Sequence, residues 1–337
     1  MIEKLHQDKD KIKKILVLKL RGIGDVVLAT SAIKNLSDYF TNASIDIVTE
    51  RPSDQLLKEL PFINEVIHFN RKSTKERIKL AFALRKNRYD FVVDFFSNPS
   101  TAQLTAFSRA KFRAGFPYKG RKYAYNLFGP EERGKYHAAE LHHKFLELLN
   151  IPVNSRDLMI GLKDEDNSFA KEIISQNIQS NKRILGISPS GGWDSKKCEP
   201  EKFAEFAEVI LNNLDWSAII LWGPGDFEDA VKIKNILGDK AFLAPNTTIS
   251  QMAALLKNCD AIIANDSGPM HIATAVGTPV LSIHGPTSPT LQGPYGNKHS
   301  YVRLEELDCI ECNLLVCNRK HECFMNLPKD IVYDKFK

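Results

Sequence analysis

The segment 261–286 constrains the fold of this chain more than any other. It begins with the apolar run 261–264 and ends with the apolar run Val280–Ile283. Runs this short and this apolar are typical of interior strands in a parallel sheet. Between them, Asp266 and Ser267 suit a helix N-cap, and Gly268 permits a sharp turn before a helix. The segment therefore predicts a buried strand, a turn, a short helix and a second buried strand.

This arrangement opens a helix N-terminus at the carboxyl end of a strand. The free amides and the positive end of the helix dipole at such a place suit a phosphate or a diphosphate. An ordinary strand-to-helix turn with a good cap explains the same residues. Asp266 and His271 favour a ligand site over that alternative, because the cap does not need both of them.

Strand-like and helix-like segments alternate through the rest of the chain, first over residues 14–149 and again over 184–283. Residues 150–156 have the composition of a connector. Such alternation predicts an α/β protein with parallel sheets and helices on both faces. We expect two Rossmann-like domains, 1–155 and 156–337, with a substrate cleft between them. Residues 116–136 are predicted to form an irregular loop.

Charge is distributed unevenly along the 337 residues. Residues 1–150 contain 27 Lys and Arg against 17 Asp and Glu, whereas the remainder contains 19 against 24. Basic clusters at 71–88 and 109–122 indicate either solvated helix faces or a surface for a polyanion or an anionic lipid. No apolar run approaches a membrane span, and the first ten residues do not resemble a secretory signal. A cytoplasmic protein is expected, with peripheral contact at a membrane surface left open.

The first strand is followed by the turn Arg21-Gly-Ile-Gly-Asp25. A dinucleotide-binding fingerprint would place a third glycine at Val27, so this interpretation is weak, although Glu50 could hold a ribose. Alternatively, Gly22 and Gly24 bring the backbone close to a ligand and direct Asp25 towards it. A helix cap is the simpler role for a lone aspartate at this position.

The second half opens with a glycine-bearing loop that follows a strand and precedes a helix. Ser190, Gly191 and Gly192 are small enough for a pyrophosphate to approach, and Lys196 supplies a point charge. A surface loop with a solvated lysine is the alternative. A second turn, Gly223-Pro-Gly225, leads into a helix that carries Glu228.

Taken together, these motifs resemble glycosyltransferase family 9, the lipopolysaccharide heptosyltransferases. The resemblance is carried, in this order along residues 14–290, by Arg21–Asp25, Ser195–Lys197, Trp222–Gly225, Asn265–His271 and Gly277–Val280. It implies a GT-B fold, with the acceptor on the N-terminal domain and the nucleotide-sugar on the C-terminal domain. The activity implied is inverting transfer of a heptose from ADP-L-glycero-D-manno-heptose to the lipopolysaccharide inner core, with no required metal or cofactor.

The resemblance also assigns roles to residues. Asp25 matches the general base and Lys196 the lysine that contacts the diphosphate, and Arg21, Gly22 and Gly24 are expected on the acceptor side. The residues expected to bind the donor are Ser190, Gly191, Gly192, Glu228, Thr247, Thr248, Asp266, Ser267, Gly268 and His271. Cys198 and Glu199 replace the aromatic–proline pair that is common after the lysine in this family. The expected partners are a nucleotide-sugar and an anionic lipopolysaccharide-core acceptor, and no nucleic acid.

The chemistry is coherent without the resemblance. A carboxylate can accept the proton of an acceptor hydroxyl, and a lysine with a helix N-terminus can stabilise a diphosphate leaving group. Three rivals stay open: a family member with another donor or acceptor, an NAD-dependent oxidoreductase, and a non-catalytic nucleotide-sugar-binding module.

Four cysteines near the C-terminus have a spacing that can hold a structural metal: Cys309, Cys312, Cys317 and Cys323. Stable disulfides are not expected in a cytoplasmic protein. His137, His142 and His143 lie on one predicted helix, where a solvated face is expected and a face towards the cleft is the alternative.

Overall fold

The chain forms two compact units, which the computed structural model describes over all of residues 1–337. The first unit is Met1–Gly161 and the second is Leu162–Lys337, whereas the sequence placed the boundary between residues 155 and 156. Each unit contains one six-stranded sheet in which every neighbouring pair of strands is parallel. Helices connect the strands, as the alternating pattern predicted, and the fold class is α/β with two Rossmann-like units.

The sheet of the first unit has the order β3-β2-β1-β4-β5-β6. Its strands are β1 (Lys14–Leu18), β2 (Ser44–Thr49), β3 (Glu65–His68), β4 (Phe91–Asp94), β5 (Phe112–Gly115) and β6 (Leu127–Phe128). Its helices are α1 (Ile2–Gln7), α2 (Ile23–Val27), α3 (Thr30–Tyr39), α4 (Thr74–Asn87), α5 (Pro99–Ser108) and α6 (Ala138–Leu148). The central strands β1 and β4 are buried on both faces, which explains their nearly continuous apolar sequences.

The sheet of the second unit has the order β12-β11-β10-β7-β8-β9. Its strands are β7 (Arg183–Ser188), β8 (Trp216–Ile220), β9 (Ala241–Leu243), β10 (Ala261–Asn265), β11 (Val280–Ile283) and β12 (Ser300–Val302). Its helices are α7 (Asp164–Asn177), α8 (Pro200–Asn213), α9 (Phe227–Leu237), α10 (Ile249–Lys257), α11 (Gly268–Ala275), α12 (Pro289–Gln292), α13 (Glu322–Met325) and α14 (Lys329–Phe336).

Both sheets reverse their strand order at the centre. In the first unit the chain builds β1, β2 and β3 outward and then returns to place β4 on the other side of β1. In the second unit, β10 returns in the same way to lie beside β7. In open α/β sheets, the crevice at the carboxyl ends of two such central strands is where ligands bind. Ligand-binding residues are therefore expected in the turns that follow β1, β4, β7 and β10.

Several local predictions are corrected by the structure. The sequence pattern predicts one helix over 26–36, whereas the structure has two, α2 and α3. The pattern also predicts a helix near 54–59, where the structure has a 3-10 turn, Ser53–Leu56. The predicted loop 116–136 contains β6, which is held by backbone pairing to β5 rather than by an apolar pattern. No helix in either unit combines the length and the apolar character that a bilayer span requires.

Candidate active site

The turn after β1 presents Asp25 from the first turn of α2. Gly22 has a φ of +73°, and a Cβ at this residue would lie 2.6 Å from Asp25 Oδ2. Glycine is therefore required here both by the backbone conformation and by the close approach of the aspartate. Gly24 is buried within α2, whereas Arg21 is exposed, and 51% of the Asp25 side chain is accessible. Asp25 is thus a supported but solvent-accessible carboxylate.

Lys19 lies beneath Asp25 and was not predicted as a site residue. Only 1% of Lys19 is exposed, yet its Nζ lies 3.6 Å from Asp25 Oδ1 and 3.3 Å from His142 Nε2. Burial lowers the pKa of Lys19, and the Asp25 carboxylate opposes that effect. Burial also holds the pKa of His142 well below its usual value, and the nearby Lys19 cation is the second cause of this shift. A neutral imidazole can accept a hydrogen bond from the Lys19 ammonium. His142 therefore holds the Lys19 cation in place next to Asp25.

The expected solvated environment of His142 and His143 is wrong. Both side chains are buried, because α6 packs against α3 and the central strands. The His143 Nε2 lies 2.8 Å from Ser31 Oγ, and the His142 ring contacts Phe95. His137 instead caps α6 by accepting a hydrogen bond from the Ala139 amide at 3.1 Å.

Asp94 ends β4 beside the end of β1, at the same crevice. Its buried carboxylate accepts hydrogen bonds from the Ser97 amide at 2.7 Å and from the Tyr125 hydroxyl at 2.8 Å. Burial raises the pKa of Asp94 to about 6 despite these donors. Gly115 makes room for this arrangement, since a Cβ there would lie 2.3 Å from the Tyr125 ring.

Two arginines of the same unit lie on an aromatic side chain. The guanidinium carbons of Arg121 and Arg133 are 5.6 Å and 5.5 Å from the centroid of the Tyr118 ring, and Arg133 is also 5.5 Å from the Phe116 ring. Phe116 and Tyr118 are stacked, with their centroids 5.5 Å apart. This surface offers guanidinium groups to an anion and a ring face to a sugar.

In the second unit, the loop after β7 and the turn after β10 meet through an ion pair. The Lys196 Nζ lies 2.6 Å from Asp266 Oδ2 and 4.5 Å from the centroid of the Trp193 ring. Both charged residues are buried, with 8% of Lys196 and 4% of Asp266 exposed. The alternative of a solvated surface lysine is therefore wrong. The structure brings together Lys196 and Asp266, which are 70 positions apart in the sequence numbering.

A hydroxyl and an imidazole complete the surroundings of Asp266. Thr287 Oγ1 donates a hydrogen bond to Asp266 Oδ2 at 2.5 Å. Burial favours a higher pKa for Asp266, but His284, Lys196 and Thr287 outweigh it and keep the pKa below its usual value. Burial lowers the pKa of His284 to about 4. The pocket therefore contains an ionised aspartate held by a lysine, next to a histidine that is neutral near pH 7.

Polar atoms without partners cluster where β7 and β10 end. Ser188 Oγ, Asn265 Oδ1 and Ser267 Oγ are buried and form no hydrogen bond within the protein. The side-chain amide of Asn265 donates to the Pro189 carbonyl at 2.8 Å, which joins the two strand ends. Ser267 is the N-cap of α11 but makes no side-chain cap bond. Buried polar groups normally have partners, so these atoms indicate a polar ligand or ordered water at the start of α11.

The other predicted donor residues lie on the same edge of the second sheet. Ser190, Gly191 and Gly192 follow β7, and Gly268 and His271 form the first turn of α11. Thr247 and Thr248 follow β9, where the Thr248 hydroxyl caps α10 by accepting from the Gln251 amide at 3.2 Å. Glu228 is exposed in the first turn of α9, after β8. The structure thus gives Thr248 a structural role and leaves the donor contacts of this set as predictions.

The cysteine-bearing segment packs directly on the lysine loop. The Leu315 carbonyl accepts a hydrogen bond from the Ser195 amide at 3.2 Å, and the Cys317 amide donates to Asp194 Oδ2 at 3.0 Å. On its other side, the Glu311 and Asn313 amides donate to the carbonyls of Gly285 and Pro286. Residues 311–317 therefore form a strap that joins the loop of Lys196 to the loop that contains Thr287.

The cysteines themselves are unpaired by disulfides, and as they stand no three Cys, His, Asp or Glu side chains are arranged to hold a metal ion. The Cys317 sulfur accepts hydrogen bonds from the Arg319 and His321 amides at 3.4 Å and 3.3 Å. Cys323 is largely buried, and burial raises its pKa to about 12. A structural metal at Cys309, Cys312, Cys317 and Cys323 remains a prediction, which elemental analysis of the purified protein tests.

Two Rossmann-like units, each with polar residues at the reversal point of its own parallel sheet, define the GT-B fold of glycosyltransferases. A family model described as glycosyltransferase family 9 (heptosyltransferase) matches residues 77–321. The protein belongs to this family and is a glycosyltransferase.

Individual relatives agree with this assignment. Lipooligosaccharide heptosyltransferase 2 of Campylobacter jejuni is 28% identical over 334 residues, which cover 96% of this chain and 98% of the relative. The crystal structure of a family 9 glycosyl transferase from Veillonella parvula aligns with a TM-score of 0.84 at 23% identity, covering 96% of this chain and 95% of that one. The structure of the E. coli ADP-heptose lps heptosyltransferase II aligns with a TM-score of 0.77 at 22% identity, covering 96% and 97%.

Proposed function

We propose that this protein is an inverting heptosyltransferase that transfers a heptose from ADP-L-glycero-D-manno-heptose to the inner core of lipopolysaccharide. The observation that carries the proposal is the buried Lys196–Asp266 pair beside the α11 N-terminus. A fixed cation, free helix amides and unpartnered buried hydroxyls together suit a diphosphate. The names of the Campylobacter and E. coli relatives support the heptose and the lipopolysaccharide acceptor.

In the proposed reaction, Asp25 accepts the proton of an acceptor hydroxyl as its oxygen attacks the anomeric carbon of the donor. The bond from that carbon to the β-phosphate oxygen breaks, and ADP leaves from the opposite face, which inverts the configuration. Lys196 and the α11 amides stabilise the negative charge that develops on the diphosphate. Lys19, whose ammonium lies 3.6 Å from Asp25, holds that carboxylate in position.

The acceptor side of the proposal rests on the first unit. Arg121 and Arg133 on the Tyr118 ring lie in the unit that carries Asp25, and they suit an acceptor bearing phosphates or acidic sugars. Arg21, Gly22 and Gly24 are proposed to line the acceptor at the start of α2. Such an acceptor would be met at the cytoplasmic face of a membrane, where we place the enzyme.

We also propose that the reaction needs neither a metal nor a cofactor, because Lys196 and the helix amides can supply the leaving-group stabilisation. Turnover should then be the same with and without a chelator. A loss of turnover that added Mg²⁺ restores would contradict this part of the proposal.

A donor and product screen tests the function. Calorimetry with ADP, UDP, GDP and NAD should show the tightest binding for ADP, and incubation with ADP-heptose and a lipopolysaccharide-core acceptor should release ADP. Preference for UDP or GDP would indicate a family member with another donor. Tight NAD binding would favour an oxidoreductase, although Val27 fills the position of the third fingerprint glycine and is fully buried. Donor binding without turnover on any acceptor would favour a binding module.

A further inference from the structure

Helix α4 carries an unusual outward face. Because an α-helix repeats every 3.6 residues, positions 75, 78, 79, 82, 85 and 86 fall on one side of it. The opposite side packs Leu80 and Leu84 against the core of the first unit. The outward side therefore lies outside that core, yet it contains both apolar and basic residues.

The apolar part of this face is exposed. Ile78 and Phe82 are 54% and 62% exposed and are neighbours at i and i+4. The Phe82 ring contacts the half-buried Phe107 of α5 edge-on, with the centroids 5.3 Å apart. The Arg85 guanidinium lies 5.1 Å from the same Phe107 ring. Ile78, Phe82 and Phe107 thus form an apolar ridge on the surface, and Arg85 lies beside it.

The charged part of the face is not neutralised. Residues 71–88 contain eight Lys and Arg and a single acidic residue, Glu76, which lies off the outward side. Lys75, Lys79, Arg85 and Lys86 form no ion pair with any carboxylate, whereas Arg71 lies 3.9 Å from Glu50. A ridge of Phe and Ile flanked by four free cations suits an interface between water and anionic lipid headgroups.

We propose that the outward face of α4 docks on the surface of an anionic lipid bilayer, with Ile78 and Phe82 entering the headgroup region and the basic residues contacting lipid phosphates. A second copy of the chain is a poor occupant, because a symmetric contact would bring the same unpaired cations together. A water-soluble anion alone would leave the apolar ridge exposed.

The position of α4 fits the proposed function, on which this part of the inference rests. The loop before α4 leaves the carboxyl end of β3, and the turn with Asp25 leaves the carboxyl end of β1 in the same parallel sheet. Both therefore start from one edge of the first unit. Docking near that edge would present a lipid-linked acceptor to Asp25.

Vesicle sedimentation of the full-length protein tests the proposal. The wild type should pellet with phosphatidylethanolamine–phosphatidylglycerol vesicles and not with phosphatidylcholine vesicles. The triple variant Lys75→Gln/Lys79→Gln/Lys86→Gln should lose on the order of 100-fold in vesicle affinity. The variant Ile78→Ser/Phe82→Ser should lose roughly tenfold, because each side chain loses an apolar environment. The matched control Ile236→Ser/Ile331→Ser removes exposed side chains elsewhere and should bind like the wild type.

Each contrary result would overturn one part of the docking proposal. Equal binding to neutral and anionic vesicles, or wild-type binding by the triple variant, would show that the basic face of α4 does not dock on anionic lipid. Unchanged vesicle binding by Ile78→Ser/Phe82→Ser would show that these two side chains do not enter the headgroup region. A wild-type dimer that this variant abolishes, without vesicle binding, would show that a second copy covers the face.

Turnover on a water-soluble, deacylated acceptor separates this inference from the proposed function. The Ile78→Ser/Phe82→Ser variant should retain wild-type turnover on that acceptor. If the wild type docks on vesicles but turns over no acceptor, the function is wrong and the docking stands. If the wild type turns over the soluble acceptor but does not bind vesicles, the docking proposal is wrong and the proposed function stands.

Discussion

The Lys196 ammonium and the Asp266 carboxylate form a buried ion pair, with Nζ 2.6 Å from Oδ2. Residues from two loops are thereby fixed at the carboxyl edge of one sheet, where β7 and β10 lie side by side. The pair orients the lysine before any donor arrives. It also means that removing either partner has two consequences, one for stability and one for binding.

We expect Lys196→Met to lower the free energy of unfolding by about 3–5 kcal/mol, because it leaves the Asp266 charge buried without its partner. The double variant Lys196→Met/Asp266→Asn should recover most of that stability. Both variants should bind ADP at least about tenfold more weakly, since a charge-assisted contact to the diphosphate is lost. Chemical unfolding and calorimetry measure the two effects. Wild-type ADP affinity in a folded double variant would show that Lys196 does not contact the donor.

Lys19 should act through Asp25 rather than on the substrate. In Lys19→Met, Asp25 loses the ammonium that lies 3.6 Å from its Oδ1, so kcat should fall about tenfold through loss of positioning while ADP affinity stays at the wild-type value. Lys34→Met, which removes a half-buried lysine of α3 that pairs with Asp38, is the control. Wild-type kcat in a folded Lys19→Met enzyme would show that Lys19 does not position Asp25.

Asp94 should make the stability depend on pH. Burial raises its pKa from the ordinary value of 3.8 to about 6 in the folded state, so the folded state binds this proton more tightly. The resulting stabilisation is fully present below the lower value and is lost as the pH rises through the higher one. Between about pH 5 and about pH 8, the wild type should lose about 1.4 kcal/mol from this group.

The variant Asp94→Asn lacks that titration. The difference in unfolding free energy between variant and wild type should therefore shift in favour of the variant as the pH rises. Urea unfolding at several pH values measures it. A constant difference across the range would mean that Asp94 does not titrate there.

Gly285, whose carbonyl accepts a hydrogen bond from the Glu311 amide of the strap, lies against the side chain of Cys323. A Cβ at Gly285 would lie 2.4 Å from the Cys323 sulfur, so Gly285→Ala should displace the loop that leads to Thr287. We expect a loss of about 1–3 kcal/mol in stability, together with weaker ADP binding. In a Cys323→Ala background the same substitution should cost much less. Equal costs in both backgrounds would show that the contact does not transmit strain.

Much of this architecture is predictable from sequence because central parallel strands are apolar on both faces. The sequence predicts strands over 44–49, 241–243 and 280–283, and β2, β9 and β11 have these bounds. β6 and β12 were missed because two or three residues carry no pattern, and backbone pairing alone places them.

The candidate site was predictable where glycines mark a turn, as at Gly22 before Asp25 and at Gly191 before Lys196. Lys19 directly follows the buried strand β1 and Asp94 is the last residue of the buried strand β4. Both were missed, although a polar residue at the end of such a strand was the available signal. His142 was assigned to solvent because a helix periodicity does not reveal which of its faces is covered. The ion pair of Lys196 with Asp266 depends on the order of strands in space, which sequence spacing does not specify.

The most direct test of the account is Asp25→Asn, which keeps the shape of the side chain at the start of α2 but cannot accept the acceptor proton. Turnover of ADP-heptose with a lipopolysaccharide-core acceptor and calorimetric ADP affinity should be measured on the same preparation. The account predicts that turnover falls by about 10²–10⁴-fold while ADP affinity stays at the wild-type value. Turnover within a few-fold of wild type would contradict Asp25 as the base.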